Sequence, residues 1–325
     1  MSVLWIRCVH SARKLPTNDI FFYKMGIAIS MALVYNVGEI LLFFRGVMKR
    51  IMTIQDVSCV GKCSLTVALP IISAAGVEAG VLPTAVLSTH TAFPKFTFCD
   101  LTGEIQSISD TFVDLGIDFD AVYTGYLGSF EQLSLVSDFI DRFGDKAEIV
   151  IDPVMADNGK LYHGFTEEFA HSMAKLCAKA DLIIPNLTEA SFMLGIPYNP
   201  DYDEQYIRGV LKKLTDLGAK CAALSGIGFK DDEIGVYCYD SEKDEYYCYF
   251  NERLPAAFHG TGDIYASATV GAMMRGFDVF ESLSIAVDFT LLCMKKTLAD
   301  KDHRFYGVNF EEALPYYIKR LGISE

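Results

Sequence analysis

Basic residues are few in this chain and form no long run. The sequence has 28 Lys and Arg against 42 Asp and Glu, which gives a formal net charge of −14. A surface of that sign repels the phosphates of a nucleic acid, whose binding depends on clustered basic residues. We therefore expect no nucleic-acid partner.

A metal-binding pattern of cysteines is also missing. The nine cysteines are scattered and odd in number. Cys59 and Cys63 have a four-residue spacing, but no second Cys or His pair lies nearby to complete a zinc site. Because scattered free thiols are typical of a reducing compartment, we expect a cytoplasmic protein.

No uncharged run reaches the ~20 apolar residues that a membrane-spanning helix needs. Within the weakly basic N-terminal segment, the longest uncharged run extends from Met25 to Gly38. It resembles the apolar part of a signal peptide but lacks a convincing cleavage site. We interpret Met48 as the functional start, residues 1–47 as an extension outside the fold, and residues 48–325 as a single domain without a membrane partner. A membrane-anchoring helix in the extension is the alternative.

From residue 50 onward, short apolar runs alternate with segments of helical periodicity. This alternation predicts an α/β fold with a mostly parallel sheet and helices on both faces. The predicted strands are 51–55, 78–88, 121–126, 149–153, 182–185 and 221–226, followed by an antiparallel hairpin of 234–239 and 246–250. The predicted helices are 64–75, 109–115, 129–143, 167–178, 203–217, 264–275, 280–298 and 310–320, with a short one after Asn186. Residues 90–102 are predicted to form a loop over the site.

Polar residues lie where the predicted strands end. Because ligands of such sheets bind at the carboxyl ends of the strands, these side chains should converge on one site. They are Asp56, His90, Tyr126, Asp152, Asn186 and Ser225.

The sequence Gly260-Thr261-Gly262-Asp263 precedes a long apolar helix. Glycines allow a ligand to approach the backbone, and the free N–H groups at a helix start bind anions. Asp263 would repel a phosphate that was merely bound, but it suits a base that removes a proton from a hydroxyl during phosphoryl transfer. Alone, the same residues could be only a turn with a capping Asp.

Six motifs together resemble the pyridoxal/pyridoxamine kinases of the ribokinase superfamily, over residues 49–322. They are Ile54-Gln55 with the Gly61 loop, Ser88-Thr89-His90-Thr91, Thr124-Gly125-Tyr126, Asp152-Pro153-Val154-Met155, Pro185-Asn186-Leu187-Thr188-Glu189 and Gly260-Thr261-Gly262-Asp263. The resemblance implies a ribokinase-like three-layer α/β/α domain. It also implies a kinase that phosphorylates the 5′-hydroxyl of pyridoxal, pyridoxamine or pyridoxine with ATP and Mg²⁺. A monovalent cation and a homodimer are further expectations from relatives.

The resemblance also implies a role for each matching residue. Asp263 would be the base, and the amides of Gly260, Thr261 and Gly262 would hold the charge on the transferred phosphoryl group. Asp152 and Glu189 would serve Mg²⁺, with Glu189 acting through water. The residues expected at the ATP phosphates are Asp152, Asn186, Ser225, Gly260 and Gly262, and those expected around the pyridine ring are Asp56, His90, Thr91 and Tyr126.

Three positions depart from the pattern of many pyridoxal kinases. Asp56 replaces a Ser, Thr89 replaces an Asn, and Ile184 replaces a Thr that would add a hydroxyl near the phosphates. A carboxylate at position 56 would favour a protonated pyridine nitrogen or the cationic amine of pyridoxamine. We therefore expect pyridoxamine to be used at least as well as pyridoxal.

Other functions remain open from the sequence. Hydroxymethylpyrimidine kinase has the same fold and acts on a similar flat heterocycle with a primary alcohol. A sugar kinase of the superfamily is a more distant alternative, because those enzymes usually carry an extra lid of strands early in the chain. A non-catalytic vitamer-binding protein is the third alternative, although the intact Gly260–Asp263 loop argues against it.

Overall fold

The structure, a computed structural model, describes residues 48–323. The extension predicted for residues 1–47 lies outside the described residues, and its assignment stays a prediction. Residues from Lys49 onward form one compact unit. Within residues 48–323, no helix is both long and apolar enough to cross a membrane.

A nine-stranded sheet crosses the domain, with the strand order β11-β10-β9-β8-β5-β4-β1-β2-β3. The strands from β9 to β2 in that order are parallel, whereas β3, β10 and β11 pair antiparallel at the two edges. A small hairpin of β6 and β7 is separate. The strands are β1 Arg50–Val60, β2 Glu78–Thr89, β3 Phe98–Asp100, β4 Ala121–Thr124, β5 Glu148–Ile151, β6 Ala156–Asp157, β7 Lys160–Leu161, β8 Leu182–Ile183, β9 Cys221–Ile227, β10 Glu233–Asp240 and β11 Glu245–Glu252.

Helices cover both faces of this sheet. They are α1 Leu65–Ala74, α2 Thr102–Asp114, α3 Phe130–Phe143, α4 Glu167–Cys177, α5 Leu187–Leu194, α6 Glu204–Asp216, α7 Thr261–Met274, α8 Val279–Ala299 and α9 Leu314–Arg320. One apolar core joins the sheet to α1, α7, α8 and α9, and the other joins it to α2 through α6. Alternate strand residues enter opposite cores, as Ile51 and Met52 do, because successive side chains of a strand point to opposite faces. The predicted three-layer α/β/α fold is confirmed.

Local signals in the sequence account for several boundaries. Ser129 caps α3, as predicted, by accepting a hydrogen bond from Gln132 N at 3.1 Å. At α5, Asn186 Oδ1 accepts from Glu189 N at 3.0 Å, and Glu189 Oε2 accepts from Asn186 N at 2.9 Å. This reciprocal capping box fixes both side chains at the helix start.

Three predicted boundaries were wrong. The segment 90–102 is not wholly a loop, because it contains β3, which pairs with β2. Helix α2 begins at Thr102 and not near Ser109, since Asp100 Oδ1 accepts from Thr102 N at 3.0 Å and stabilises the earlier turn. The last helix is also interrupted: a 3₁₀ turn, Phe310–Glu312, precedes α9, which starts at Leu314.

Strand β1 is longer than predicted, and this changes the place of Asp56. The strand continues to Val60 because β2 also continues and gives it a partner. The register shifts between Gln55 and Val57, so Asp56 occupies a bulge inside the strand and does not follow its end. The bulge still lies at the carboxyl edge of the central sheet, because the neighbouring β4 stops at Thr124 opposite Ile54.

Candidate active site

A cleft of about 750 Å³ opens at the carboxyl edge of the sheet. Among its walls are the predicted residues from four separate parts of the chain: Asp152, Asn186 and Glu189, Ser225, and Gly260 through Asp263. Asp152 directly follows β5, and Asn186 pairs with Ser225 of β9 just beyond the end of β8. Three of the six strand-end residues, Asp152, Asn186 and Ser225, therefore meet in this cleft, whereas Asp56, His90 and Tyr126 are not among its walls.

The turn before α7 presents backbone N–H groups to this cleft. Gly260 has a φ of 80°, and a Cβ at this position would lie 2.2 Å from the Lys62 carbonyl oxygen, so only glycine fits. The first helical hydrogen bond runs from Ile264 N to Gly260 O at 3.0 Å. The amides of Thr261, Gly262 and Asp263 therefore have no acceptor within the helix, and their N–H groups form a site suited to an anion.

Asp263 lies in the first turn of α7 and is half-buried at the cleft. Burial raises the pKa of its carboxyl to about 7, and the nearby Asp56 adds to the rise, whereas a hydrogen bond from the Ser64 backbone opposes it. A carboxylate whose pKa lies near neutrality is suited to accept a proton at physiological pH.

Asp152 and Glu189 form a pair of buried carboxyl groups in the cleft. Burial and then the charge of Glu189 raise the pKa of Asp152 well above its usual value. Burial raises the pKa of Glu189 to about 8, even though backbone N–H groups of Asn186 and Met155 donate to its carboxylate at 2.9 and 3.1 Å. The backbone thus holds Glu189 in one orientation beside a second acid that repels it.

This donor set fits Mg²⁺. Magnesium prefers oxygen ligands and is commonly held by one or two carboxylates together with water and substrate phosphates. Across residues 48–323, no ion pair involves Asp152 or Glu189, and no group of three or more His, Cys, Asp or Glu is arranged to hold a metal alone. The pair therefore suits a metal that arrives with a nucleotide.

Asp56 lies in β1 and Tyr126 just after β4, and the charge of Asp56 acts on Asp263. Asp56 is buried, and its carboxylate accepts from Ser64 Oγ at 2.5 Å and Ser58 Oγ at 3.0 Å. Burial raises the pKa of Asp56. Burial and then the charge of Asp56 raise the pKa of Tyr126, whose ring lies 5.7 Å from that of Phe165.

His90 is buried directly after β2, and both of its ring nitrogens are used by the backbone. Nδ1 accepts from Ala92 N at 3.1 Å, which leaves Nε2–H to donate to Tyr306 O at 3.0 Å. Burial lowers the pKa of His90, so the ring is neutral. It therefore offers a ring face and no free N–H to a neighbour. Thr91 is exposed and, in the described part of the chain, makes no side-chain hydrogen bond.

Several residues of the cleft were missed by sequence reasoning. Asp157 and Tyr162 come from the β6–β7 hairpin, which the Asn158-Gly159 dipeptide could have predicted, because both residues have a positive φ (50° and 75°) as a two-residue hairpin turn requires. Arg253 lies on the segment after β11, at the rim. The apolar wall comes from α8, whose mostly apolar sequence has no distinctive motif that marks which residues face a ligand. The members of this wall and its neighbours in the cleft are Pro255, Val287, Thr290, Leu291 and Met294.

Comparison with known proteins agrees with this geometry. Residues 72–306, more than half of the chain, match the family model described as phosphomethylpyrimidine kinase. A Bacteroides thetaiotaomicron protein, described provisionally as a phosphomethylpyrimidine kinase and crystallised with pyridoxal, is 38% identical, with a TM-score of 0.80 over 83% of this chain and 96% of that one. The pyridoxal kinase of Lactobacillus plantarum is 28% identical, with a TM-score of 0.79 over 84% and 98% of the two chains.

A relative at the sequence level is a pyridoxal kinase from Arabidopsis thaliana, 25% identical over 77% of this chain and 83% of its own length. These matches confirm the resemblance that the six motifs predicted, and with it an ATP-using kinase fold. The chain therefore belongs to the phosphomethylpyrimidine kinase family, a group of ribokinase-superfamily phosphotransferases related to the pyridoxal kinases.

Proposed function

We propose that this kinase transfers the γ-phosphoryl group of ATP to the 5′-hydroxyl of a B6 vitamer: pyridoxal, pyridoxamine or pyridoxine. The observation that carries the proposal is the position of Asp263, a carboxyl with a pKa of about 7. It lies between the cleft that holds Asp152 and Glu189 and the buried polar group around Asp56. Two findings support the choice of substrate. The Bacteroides relative was crystallised with pyridoxal, and other relatives are pyridoxal kinases.

The chemical step uses groups at the start of α7. Asp263 accepts the proton of the substrate hydroxyl as that oxygen forms its bond to the γ-phosphorus, and the bond from the γ-phosphorus to the bridging oxygen of ADP breaks. Negative charge spreads over the oxygens of the transferred group. The amides of Gly260, Thr261 and Gly262 stabilise this charge, because these residues line the cleft at the start of α7, where backbone N–H groups lack helical acceptors.

On the nucleotide side, Asp152 and Glu189 would hold Mg²⁺, Glu189 through water. The metal, when bound, neutralises charge on the ATP phosphates. Asn186 and Ser225 lie beside the phosphates, and the apolar wall of Val287, Leu291 and Met294 suits the flat face of the base. Arg253 is exposed at the rim without an ion pair in residues 48–323, and it adds the positive charge that this acidic cleft needs for a polyphosphate.

On the vitamer side, Asp56 accepts a hydrogen bond from a cationic group of the substrate, and Tyr126, His90 and Thr91 surround the ring. His90 contributes its ring face, because both of its nitrogens are engaged. The resemblance to pyridoxal kinases also implies a homodimer and a monovalent cation. Both remain proposals, as does a cytoplasmic location.

A second candidate is the phosphorylation of hydroxymethylpyrimidine. It is favoured by the description of the matching family model. Its substrate is also a flat heterocycle with a primary alcohol, so the same base and anion site would serve it.

The test is ATP consumption by the purified full-length chain with pyridoxal, pyridoxamine, pyridoxine and hydroxymethylpyrimidine. We expect turnover with the B6 vitamers and a loss of roughly 100- to 10,000-fold in Asp263→Asn, since the base is removed. Asp278→Asn is the matched control, because Asp278 is also an acid at a helix start but is exposed and caps α8. Turnover mainly with the pyrimidine would favour the second candidate. No turnover on folded protein would favour the vitamer-binding alternative.

A further inference from the structure

Three buried oxygens beneath the site have no hydrogen-bond partner in residues 48–323. They are Gln55 Oε1, Tyr123 Oη and Ser267 Oγ, and their side chains are completely buried. A buried polar group without a partner costs about 1–3 kcal/mol, so three of them in one place need a physical reason.

The three side chains lie in the same layer. Tyr123 of β4 pairs in register with Thr53 of β1, and Gln55 is two residues further along, so all three point to the face covered by α7. Ser267 lies on α7 one helical turn after Asp263, on the same side of the helix. The layer is therefore directly behind the proposed base.

The orientation of Gln55 is defined by its neighbours. Its Nε2 donates to Thr53 Oγ1 at 2.9 Å, which leaves Oε1 to accept from the interior. Gly125 makes room for the amide, since a Cβ there would lie 2.8 Å from Gln55 Oε1. Ser267 and Gln55 lie close enough to the Tyr123 hydroxyl to oppose the rise of its pKa, but neither makes a hydrogen bond with it.

The Tyr123 hydroxyl is also close to the carboxylates of the site. Burial is the largest cause of its raised pKa, and the charges of Asp152 and then Asp263 are the next. The Tyr123 hydroxyl is therefore within electrostatic reach of both acids. Its O–H dipole therefore contributes to the potential in which Asp263 holds and releases a proton.

We infer that Gln55, Tyr123 and Ser267 enclose one ordered water behind Asp263, and that Tyr123 is a positioning residue for this base. A buried water typically makes about three hydrogen bonds to groups that are otherwise unsatisfied, which matches the three oxygens here. The water donates to Gln55 Oε1, which can only accept, and accepts from Tyr123 Oη. The inference rests on the proposed role of Asp263.

The molecule provides a matched control in Tyr317. This tyrosine is also completely buried against α7, but its hydroxyl donates to Ala268 O at 2.8 Å, and burial alone raises its pKa. Replacing either tyrosine by Phe removes one buried hydroxyl beside the same helix. Only Tyr123→Phe removes a group that faces the carboxylates.

The first measurement separates kcat from KM. We expect Tyr123→Phe to lower kcat about tenfold, because small displacements of a catalytic group are costly, with both KM values within twofold of wild type. Tyr317→Phe should leave kcat within twofold. A kcat of Tyr123→Phe within twofold of wild type, or an equal loss in Tyr317→Phe, overturns the inference.

The second measurement does not depend on activity. The Tm change caused by Tyr123→Phe should differ between the wild-type and Asp263→Asn backgrounds, because contacting groups are not additive, whereas that of Tyr317→Phe should be the same in both. Additive Tm changes for Tyr123→Phe overturn the inference. If the wild-type chain shows no turnover, the proposed function is wrong. The comparison of Tm changes would still decide whether Tyr123 and Asp263 are coupled.

Discussion

Buried acids lie on either side of Asp263, and they are held in different ways. We call Asp152 and Glu189 the metal side, and Asp56 with its two serines the vitamer side. Burial raises the pKa of the acids on both sides. The carboxylate of Glu189 accepts from two backbone N–H groups, whereas the carboxylate of Asp56 accepts from two serine hydroxyls.

The two sides differ in whether the groups that hold the carboxylate can reorient. A backbone N–H has a fixed direction and can only donate, so Glu189 keeps one orientation as an acceptor. A serine hydroxyl rotates and can also accept, so Ser58 and Ser64 can satisfy Asp56 as a carboxylate or as a carboxylic acid. The metal side is therefore suited to a cation at one defined position, and the vitamer side to ligands that differ in charge.

Among the substitutions that test this comparison, the largest loss of activity is expected on the metal side. Glu189→Gln keeps the side-chain size but turns an acceptor into an NH₂ that faces a backbone N–H. We expect activity to fall roughly 10- to 100-fold, as for other groups that orient metal-bound water. Titration of initial rates with Mg²⁺ should show a higher requirement, with the vitamer KM unchanged.

The matched control for that variant is Glu204→Gln. Glu204 is also an acid in the first turn of a helix, but it is exposed and pairs with Arg208 on the surface. Its replacement should leave the Mg²⁺ requirement at the wild-type value. An unchanged requirement in Glu189→Gln as well would remove Glu189 from the metal side.

Asp56→Ser removes the charge of the vitamer side. We expect the ratio of kcat/KM for pyridoxamine over pyridoxal to fall roughly tenfold, since a hydrogen bond to a charged group contributes about 1.5–3 kcal/mol. Steady-state kinetics with both vitamers measure this ratio. If the ratio does not change, Asp56 does not select the cationic substrate.

The pH dependence of catalysis tests Asp263 itself, independently of the acids on the metal side and the vitamer side. The base acts in its deprotonated form and its pKa is about 7, so kcat/KM should rise as the pH increases through about 7 and then level off. The measurement is kcat/KM from pH 5 to 9 at saturating Mg²⁺ and ATP. A profile that is flat around neutrality would contradict a base with this pKa.

The smallest effect expected is on stability. The folded pKa of Glu189, about 8, lies above its ordinary value of 4.5, so the folded protein binds more protons than the unfolded chain between these values. Its stability should therefore decrease as the pH rises from about 4.5 to about 8. Tm measured across this range without ligands should fall by several degrees, and less steeply in Glu189→Gln. Asp56→Ser keeps Glu189, so its Tm should depend on pH more steeply than that of Glu189→Gln.

Much of the fold was predictable because its signals are local. The apolar runs that became β4 and β5 and the cap at Ser129 act within a few residues of the chain. Strand β3 and the start of α2 were not predictable in this way. Phe98–Asp100 is a strand only because β2 extends beside it, and Asp100 stabilises the turn at Thr102 from that position.

The candidate site shows the same division. The sequence by itself determined which residues approach the carboxyl edge, because Asp152, Asn186 and Asp263 each lie next to an element whose type and end are locally encoded. Only the tertiary structure decided how each group is held: the bulge that contains Asp56, the two amides on Glu189, the engaged nitrogens of His90 and the layer around Tyr123. The physical reason is that burial, hydrogen-bond partners and neighbouring charges arise from residues far apart in the chain. These quantities set the pKa of an acid, and they exist only once the helices have packed on the sheet.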